Sequence, residues 1–235
     1  MRTTLLRVAM VAGLALAGSA NAQVAWGGGM ASGSATFFDW ANGHNSNSNL
    51  FGTPTLIGSA FYFFPSDFVA RSDNGLPPPP GFTDHATDTL EVDLIAHAGF
   101  KIDGISVQEV GDYSITGSGA IADITGVMQI SDGAHGSLAP DNMGYNPVFP
   151  ATSGFNTAWS GNVARDLTAV EFGVPFEVIH LSITNNLIAF SIPGSSAVIR
   201  KTVVGGAMAI NVLPEPGVMA LAAMAGLVAA RRRRA

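Results

Sequence analysis

The sequence contains no cysteine among its 235 residues, so disulfide bonds, thiolate nucleophiles and zinc–thiolate sites are excluded. A chain of this length can bury a hydrophobic core large enough to fold without such cross-links. No internal repeat with a period of about 20–50 residues is apparent, which argues against a solenoid or a propeller. We therefore expect one domain that is held together by burial of apolar side chains.

Basic residues are scarce in the central part of the chain. Of the 11 lysines and arginines, six lie in the terminal segments as Arg2, Arg7 and Arg231–Arg234, so residues 23–211 carry five basic and 16 acidic side chains. The resulting net charge near −11 repels phosphate backbones and anionic lipids. This composition excludes nucleic acid as a partner and favours divalent cations or solubility in a polymer matrix.

The first 22 residues have the pattern of a signal peptide. Arg2 and Arg7 form a basic start, residues 8–16 form an apolar segment, and Ala20-Asn21-Ala22 is an A-x-A cleavage site. We expect signal peptidase to cleave after Ala22, so that the mature chain begins at Gln23. This segment predicts export through the inner membrane.

Three features follow one another between residues 212 and 235. Pro214-Glu215-Pro216 predicts an extended joint, because proline lacks a backbone N–H and disfavours helix in the residue before it. The uncharged residues 217–230 would form a helix of about 21 Å, against a hydrocarbon core of about 30 Å. The arginines that follow would keep the C-terminus in the cytoplasm (Arg231, Arg232, Arg233 and Arg234). We therefore predict a short transmembrane helix that inserts transiently.

This order of features resembles the PEP-CTERM sorting signal of exopolysaccharide-producing Gram-negative bacteria, a tail that also carries the name ice-binding protein C-terminal domain. The resemblance covers residues 212–235. It implies that an exosortase, a membrane transpeptidase, cuts near Pro214, Glu215 and Pro216 and sends the protein to the envelope, the outer surface or the extracellular matrix. A looser resemblance, centred on Glu109-Val110-Gly111-Asp112-Tyr113, is to uncharacterised exported proteins with the same tail, and implies an all-β fold without an activity.

Short apolar or alternating runs, bounded by turn residues, predict β-strands throughout residues 23–211. The expected strands are Leu56–Phe64, Leu90–Ala96, Phe100–Val110, Tyr113–Thr116, Ala120–Ile130, Phe176–Thr184, Leu187–Ile192, Val198–Val204 and Met208–Val212. We expect one hairpin over Thr89–Val110 and a second one that turns at Asn185-Asn186. The series predicts an antiparallel β-sandwich or jelly roll. The proline-rich residues 75–81 would be a loop within it, or else a spacer after a small N-terminal lobe.

The stretch Leu90–His97 is the one most similar to an enzyme site. Glu91 and Asp93, spaced as Glu-x-Asp on one strand face, resemble the laminarinase-like glycoside hydrolases, which place a second Glu just downstream as acid/base. Retaining hydrolysis needs two carboxyl groups about 5 Å apart, and here Ala96 or His97 stands in place of that Glu. No G-x-S-x-G or HExxH motif is present. We therefore predict a protein that is not an enzyme and assign no catalytic, cofactor-binding or metal residue.

Two groups of oxygen-bearing side chains fit calcium chemistry, although neither has the spacing of an EF-hand. The first group is Asp84, Asp88, Glu91 and Asp93, and the second is Asp39, Asn42, Asn45 and Asn47. Solvated turn residues of an acidic protein explain both groups more simply. We therefore expect no cofactor and keep a calcium site as the alternative.

Six aromatic residues offer faces for sugar rings, although aromatic residues on strands more often lie in the core. They are Trp26, Trp40, Trp159, Tyr62, Tyr113 and Tyr145. The leading hypothesis is an exported, non-enzymatic protein of the cell envelope or the exopolysaccharide matrix, with a structural or adhesive role. The alternatives are a carbohydrate-active enzyme at Glu91 and Asp93, and a module that binds carbohydrate or ice.

Overall fold

A computed structural model of the chain describes residues 23–46, 48–75, 83–132, 136–167, 178–201 and 208–214. These residues form strands, turns and loops, and none of them belongs to a helix that could cross a membrane. The expected signal peptide, the expected helix at residues 217–230 and the four C-terminal arginines lie outside the described residues.

Sixteen strands are formed by the described residues. The first eight are β1 (Val24–Ala25), β2 (Gly33–Ser34), β3 (Phe38–Asn45), β4 (Thr55–Ile57), β5 (Ala60–Phe63), β6 (Val69–Asp73), β7 (Thr83–Ala96) and β8 (Ile102–Thr116). The other eight are β9 (Ile121–Asp132), β10 (Gly136–Ser137), β11 (Asp141–Asn142), β12 (Gly144–Asn146), β13 (Gly154–Asp166), β14 (Val178–Phe190), β15 (Ser196–Lys201) and β16 (Met208–Pro214).

The strands pair in two antiparallel sheets of eight. Sheet 1 has the order β1-β3-β7-β14-β9-β10, with β2 beside β3 and β11 beside β9. Sheet 2 has the order β12-β13-β8-β16-β5-β4, and β15 lies between β8 and β6. The two sheets face each other across one hydrophobic core. The prediction of an all-β, antiparallel sandwich is therefore confirmed.

The core forms because the long strands alternate apolar and polar side chains. In β7, Leu90, Val92 and Leu94 point inward and are fully buried, whereas the residues between them lie on the outer face. Phe61 of sheet 2 packs against Trp40 of sheet 1, with ring centroids 5.4 Å apart and planes at 86°. Contacts of this kind join the inner faces of the two sheets.

The predicted hairpin over Thr89–Val110 is wrong. Although β7 and β8 are consecutive and flank the turn at Ala98-Gly99, β7 pairs with β3 and β14 in sheet 1, and β8 pairs with β13, β15 and β16 in sheet 2. The connection crosses from one sheet to the other. The physical reason is that both strands bury one apolar face, and two such faces are covered when the strands stack across the core.

The predicted turn at Asn185-Asn186 is also wrong, because both residues lie inside β14. Asn185 is fully buried, and its amide donates to Glu109 of sheet 2 over 3.1 Å. A tertiary hydrogen bond thus replaces the local turn that two asparagines favour. The two expected strands Phe100–Val110 and Tyr113–Thr116 are likewise parts of one strand, β8, which continues through Gly111.

The segments on both sides of the proline-rich stretch belong to the same two sheets. In sheet 1, β3 pairs with β7, and in sheet 2, β5 pairs with β16 and β6 pairs with β15. Residues 76–82 themselves lie outside the described part of the chain. At the other end, Val212–Pro214, which the sequence groups with the tail, continue β16 beside β8.

Candidate functional site

An open groove of about 690 Å³ lies on the outer face of sheet 1. Three strands form its floor, with His44 from β3, Glu91 and Asp93 from β7, and His180 from β14. Its lining also includes Gln23, which precedes β1, Ala25 of β1, and Ser32 from the loop before β2. The groove therefore brings two histidines and two carboxylates from three strands together.

The strand register brings the four floor side chains together in two rows. Glu91 lies between His44 of β3 and Ser182 of β14. Two residues further along β7, Asp93 lies between Ala41 and His180. Since residues i and i+2 of a strand lie on the same face, Glu91 and Asp93 are neighbours in the groove. The prediction that these two carboxylates share the outer face is therefore correct.

The first row is a close contact of the Glu91 carboxylate with the His44 ring. His44 Nε2 lies 2.9 Å from Glu91 Oε2, and His44 Nδ1 lies 2.6 Å from the backbone oxygen of Asn42. Both ring nitrogens of His44 therefore lie within hydrogen-bond distance of an oxygen atom. The side chain of His44 is 16% exposed and that of Glu91 is 31% exposed, so the pair is reachable from the solvent.

The second row centres on Asp93, and each of its two carboxylate oxygens contacts a neighbouring side chain. His180 Nδ1 lies 2.8 Å from Asp93 Oδ1, and the Asn42 side chain donates to Asp93 Oδ2 over 2.6 Å. Asn42 thereby connects the rows, because its backbone oxygen faces His44 and its side chain binds Asp93. The carboxylates are held in fixed orientations by their neighbours.

A β-bulge in β3 makes this arrangement possible. The register of β3 against β7 shifts between Ala41 and His44, and Asn42 adopts a φ of 57°. Asparagine tolerates this left-handed conformation better than most residues. A Cβ at Gly43 would lie 2.3 Å from the ring of Trp26, so this position requires glycine. The bulge directs both Asn42 and His44 to the outer face.

A third histidine–carboxylate pair lies nearby on the same sheet. His97 Nε2 is 2.8 Å from Asp39 Oδ1 and 3.4 Å from the hydroxyl oxygen of Ser34. Hydrogen bonding from Ser34, and then from His97, lowers the pKa of Asp39 below its ordinary value. His97, which the sequence places near a glycosidase motif, is therefore engaged by Asp39 rather than by Glu91.

Hydroxyl and amide side chains continue the outer face beyond the groove. Thr89 of β7 and Thr184 of β14 are cross-strand partners, with their hydroxyl oxygens 2.8 Å apart. In the next row, Thr87 donates to Asn186 over 2.7 Å, and Thr125 of β9 lies on the other side of Asn186. Such a face offers many donors and acceptors to a hydroxyl-rich ligand.

The first proposed calcium group is split by the structure. Asp88 points inward and is buried, whereas Glu91 and Asp93 point outward into the groove. Asp88 accepts hydrogen bonds from the backbone N–H groups of Leu50 and Phe51, and is therefore already saturated. Among the described residues, no group of three or more histidine or acidic side chains has the arrangement of a metal site.

The second calcium group is dispersed as well. Asp39 binds His97 and Asn42 binds Asp93, both on the outer face. Asn45 is buried on the inner face, where it accepts from Trp26 Nε1 over 3.1 Å and donates to Asn49 over 2.7 Å. Asn47 lies outside the described residues. These contacts explain the Asn-rich segment as part of a strand and its loop.

Most of the aromatic residues considered for sugar stacking lie in the core. Trp26, Trp40, Trp159 and Tyr113 are all at most 5% exposed, so none of them presents a face to a ligand. Tyr145 packs edge-on against Trp159, with ring centroids 5.9 Å apart. A planar platform made of Trp26, Trp40, Trp159 and Tyr113 is therefore excluded.

The histidines are the groove residues that sequence reasoning missed. His44 and His180 come from strands far apart in the chain, and neither forms a recognisable motif with its neighbours. Their contacts with Glu91 and Asp93 arise only from the register of β3 and β14 against β7. A weak indication was present, since both histidines occupy outward positions of strands whose alternate residues are apolar.

The predicted sorting and cleavage residues cannot be placed in a site. Gln23 lines the groove and Pro214 ends β16. Ala20, Ala22, Glu215, Pro216 and the four arginines lie outside the described residues.

Comparison with known proteins gives distant structural similarities alone, because no protein family and no characterised protein matches the chain in sequence. The VP2 subviral particle of infectious bursal disease virus is similar with 12% identity and a TM-score of 0.27, over 72% of this chain and 47% of that chain. The chain thus spans about half the length of that protein. TmCBM61 in complex with β-1,4-galactotriose is similar with 10% identity and a TM-score of 0.25, over 75% of this chain and 88% of that chain. Similarities at this level do not identify a function.

Proposed function

We propose that the chain is an exported, non-enzymatic β-sandwich protein of the envelope or extracellular matrix, and that the groove on sheet 1 binds a neutral polysaccharide. The observation that carries the proposal is the fixed pair of carboxylates, Glu91 and Asp93, side by side in an open groove on the face of the sandwich. Export and sorting rest on the sequence patterns at residues 1–22 and 212–235.

The chemistry of the groove favours a neutral ligand that is rich in hydroxyl groups. Sugar hydroxyls donate to carboxylates, and such charge-assisted hydrogen bonds are about twice as strong as neutral ones. Asn42 and His180 add polar groups beside Asp93. The body carries a net charge near −11, so a uronate-rich polymer would be repelled. The open shape of the groove suits a chain that lies across the sheet.

Equilibrium binding of the full chain to neutral β-glucans and to a uronate-rich polymer tests this proposal. The double variant Glu91→Gln, Asp93→Asn keeps the side-chain shapes and removes the charges. We expect it to bind a neutral polymer about tenfold more weakly, since the loss of charge assistance is worth about 1.4 kcal/mol. Binding that is confined to the uronate-rich polymer, or to no polymer at all, would contradict the proposal.

Asp123→Asn provides a matched control on the outer face of the same sheet. Asp123 pairs with Ile188 of β14, and Glu91 pairs with Ser182 of the same strand. Ile188 and Ser182 are six residues apart, so Asp123 lies about 20 Å from Glu91. We expect the Asp123→Asn variant to bind the neutral polymer as strongly as the wild type does. Reducing ends should be measured in the same samples. If they are released by the wild type and not by Glu91→Gln, the protein is a glycoside hydrolase and the non-enzymatic part of the proposal is wrong.

A second candidate, ice binding, is favoured by the threonine rows next to the groove. Thr87, Thr89, Thr125 and Thr184 lie on adjacent strands of one outer face. Measurement of ice recrystallisation with the full chain and with Thr125→Lys distinguishes this candidate from the first one. Inhibition that is lost in Thr125→Lys but retained in the groove double variant would favour ice as the ligand.

A further inference from the structure

Four polar side chains meet in the interior between the two sheets. Glu109 of β8 and Lys201 of β15 form an ion pair whose side chains are both 0% exposed. Glu109 Oε2 contacts Lys201 Nζ. Glu109 Oε1 accepts from the hydroxyl of Tyr145 over 2.7 Å and from the amide nitrogen of Asn185 over 3.1 Å. Three of these residues belong to sheet 2, whereas Asn185 reaches across the core from sheet 1.

Aromatic rings exclude water from the lysine amine. Its nitrogen lies 5.5 Å from the ring centroid of Phe51, 5.3 Å from that of Phe68 and 5.7 Å from that of Trp159. Burial lowers the pKa of Lys201, and this effect outweighs the opposing influence of Glu109. A buried lysine with a lowered pKa has access to its neutral form, which is the nucleophilic form.

An ion pair that only stabilises the fold would not explain the unpaired atoms around it. Within the described part of the chain, Asn185 Oδ1 and Trp159 Nε1 are buried without a hydrogen-bond partner. Each such atom costs about 1–3 kcal/mol, and buried ion pairs often contribute little to stability. A buried group that remains unsatisfied in a native structure calls for an explanation, and a catalytic role is one such explanation.

We propose that Lys201 and Asn185 become joined by an intramolecular amide bond, which the folded protein forms by itself with Glu109 as the catalytic residue. The neutral amine attacks Cγ of Asn185, the Nζ–Cγ bond forms, and the Cγ–Nδ2 bond breaks. The side-chain nitrogen of Asn185 leaves as ammonia. The reaction involves no oxidation or reduction, and it needs no cofactor.

The position of Glu109 is what carries the assignment. Glu109 Oε2 contacts Nζ of Lys201, the nitrogen that must lose a proton. Glu109 Oε1 contacts Nδ2 of Asn185, the nitrogen that must gain a proton before it leaves. Glu109 can therefore take the proton from the attacking amine and deliver it to the departing one. Burial raises the pKa of Tyr145, so its hydroxyl keeps its proton and remains a donor to the carboxylate.

Two glycines leave room for this cluster. A Cβ at Gly126 would lie 2.4 Å from the hydroxyl of Tyr145 and 2.6 Å from the amide nitrogen of Asn185. A Cβ at Gly161 would lie 2.5 Å from the ring of Tyr145 and 3.0 Å from Cγ of Glu109. The bond would link sheet 1 to sheet 2 through the core, in an exported chain that has no cysteine for a disulfide.

Mass spectrometry of the folded full chain tests the proposal. We expect the intact mass to lie about 17 Da below the mass calculated for its measured termini, which corresponds to the loss of one ammonia. N-terminal glutamine cyclisation and succinimide formation also release ammonia. A digest must therefore contain a branched peptide that joins Lys201 to Asn185. The variants Lys201→Met, Asn185→Ala and Glu109→Gln should all lack this peptide.

Lys101→Met is the matched control, since Lys101 and Lys201 are the two lysines of the chain. This variant should retain the branched peptide. A folded wild-type protein in which Lys201 and Asn185 are found in separate, unmodified peptides would overturn the proposal, whether or not the variants fold. A loss of about 18 Da with a peptide that joins Lys201 to Glu109 would overturn the assignment of Asn185 as the acceptor.

Discussion

Asp88 shows how a residue's role depends on the face that it occupies. It lies on β7 between outward-facing polar residues, but it points inward and is 1% exposed. Its carboxylate accepts from the backbone N–H groups of Leu50 at 2.5 Å, Phe51 at 3.1 Å and Thr89 at 2.9 Å, and from the hydroxyl of Ser46. It therefore fixes the loop that places the Phe51 ring in the core.

We expect Asp88→Ala to lower the free energy of unfolding by about 3 kcal/mol, because it leaves buried N–H groups without an acceptor. Urea unfolding at neutral pH measures the change. Asp84→Ala is the control on the same strand, since its carboxylate accepts from the backbone of Arg71 over 2.7 Å at an exposed site. We expect Asp84→Ala to cost less than about 1 kcal/mol. Equal losses would contradict the anchoring role of Asp88.

Asp39 gives a prediction about acid stability. Its pKa is lowered in the folded protein by the hydrogen bond from Ser34 and then by His97. The stabilisation is present above the ordinary aspartate pKa of about 4 and is lost as the pH falls through the lowered folded value. Melting curves of the wild type and Asp39→Asn should therefore differ at pH 6 and converge in strong acid. A difference that grows on acidification would contradict this sign.

At the scale of the strand, the sequence predicts well where strands form and which of their side chains lie on the outer face. The alternation in Leu90–Ala96 correctly assigns Glu91 and Asp93 to the outer face, because side chains of a strand alternate with a period of two. The sequence does not predict which strands pair with each other or which side chains they bring into contact. The assignment of β7 and β8 to separate sheets, and the contact of His180 with Asp93, depend on pairing between distant segments. Local patterns carry no information about such pairing.

Asn185 shows that pairing with distant strands can also override a local preference of the sequence. Two consecutive asparagines favour a turn through local hydrogen bonds, yet β14 continues through them and gains pairing with β7 and β9. The buried acceptor for the side-chain N–H of Asn185 is Glu109, which lies 76 residues earlier in the chain. The sequence could not reveal this partner, because a lone glutamate on an alternating strand is expected to be solvated.

Gly111 allows β8 to continue where the sequence suggests a break. A Cβ at this position would lie 2.1 Å from the backbone oxygen of Arg200 and 2.3 Å from the ring of Trp159. We therefore expect Gly111→Ala to push β15 or Trp159 aside and to lower the free energy of unfolding by about 1–3 kcal/mol. Thermal unfolding followed by Trp fluorescence measures both effects.

Gly144→Ala in β12 is the control for that experiment. A Cβ there would lie 3.8 Å from the nearest atom, the side-chain oxygen of Asn162, which is ordinary van der Waals contact. We expect Gly144→Ala to change the stability by less than about 0.5 kcal/mol. If the two alanine variants unfold alike, the close approach of Trp159 and Arg200 to Gly111 does not limit the strand.

At the scale of the whole molecule, the sandwich closes with strands from distant parts of the chain. In sheet 1, β3 pairs with β7, and in sheet 2, β16 lies between β8 and β5. The last described strand therefore lies inside a sheet, rather than at its edge. Any processing of the tail must leave β16 intact if the body is to keep both of its pairings.

The burial of Val212 limits where the tail can be cut. Val212 is fully buried, pairs with Ile105, and donates its N–H to the backbone oxygen of Ser59 over 3.1 Å. A chain that stops after Asn211 loses this burial and the pairing of Leu213 and Pro214 with β8. We expect it to be less stable by about 2–4 kcal/mol than a chain that stops after Pro214. Urea unfolding of the two truncated proteins measures the difference.

The pairing of β16 also limits the product that we expect from processing in the native host. The processed protein should end at Val212 or later, because a cut before Val212 would remove a core side chain and leave the edge of β8 partly unpaired. Intact-mass measurement, combined with identification of the C-terminal peptide, determines the end. A stable exported species that ends at Asn211 or earlier would show that the last residues of β16 are dispensable. A species that retains Arg231–Arg234 would instead show that the tail is not processed.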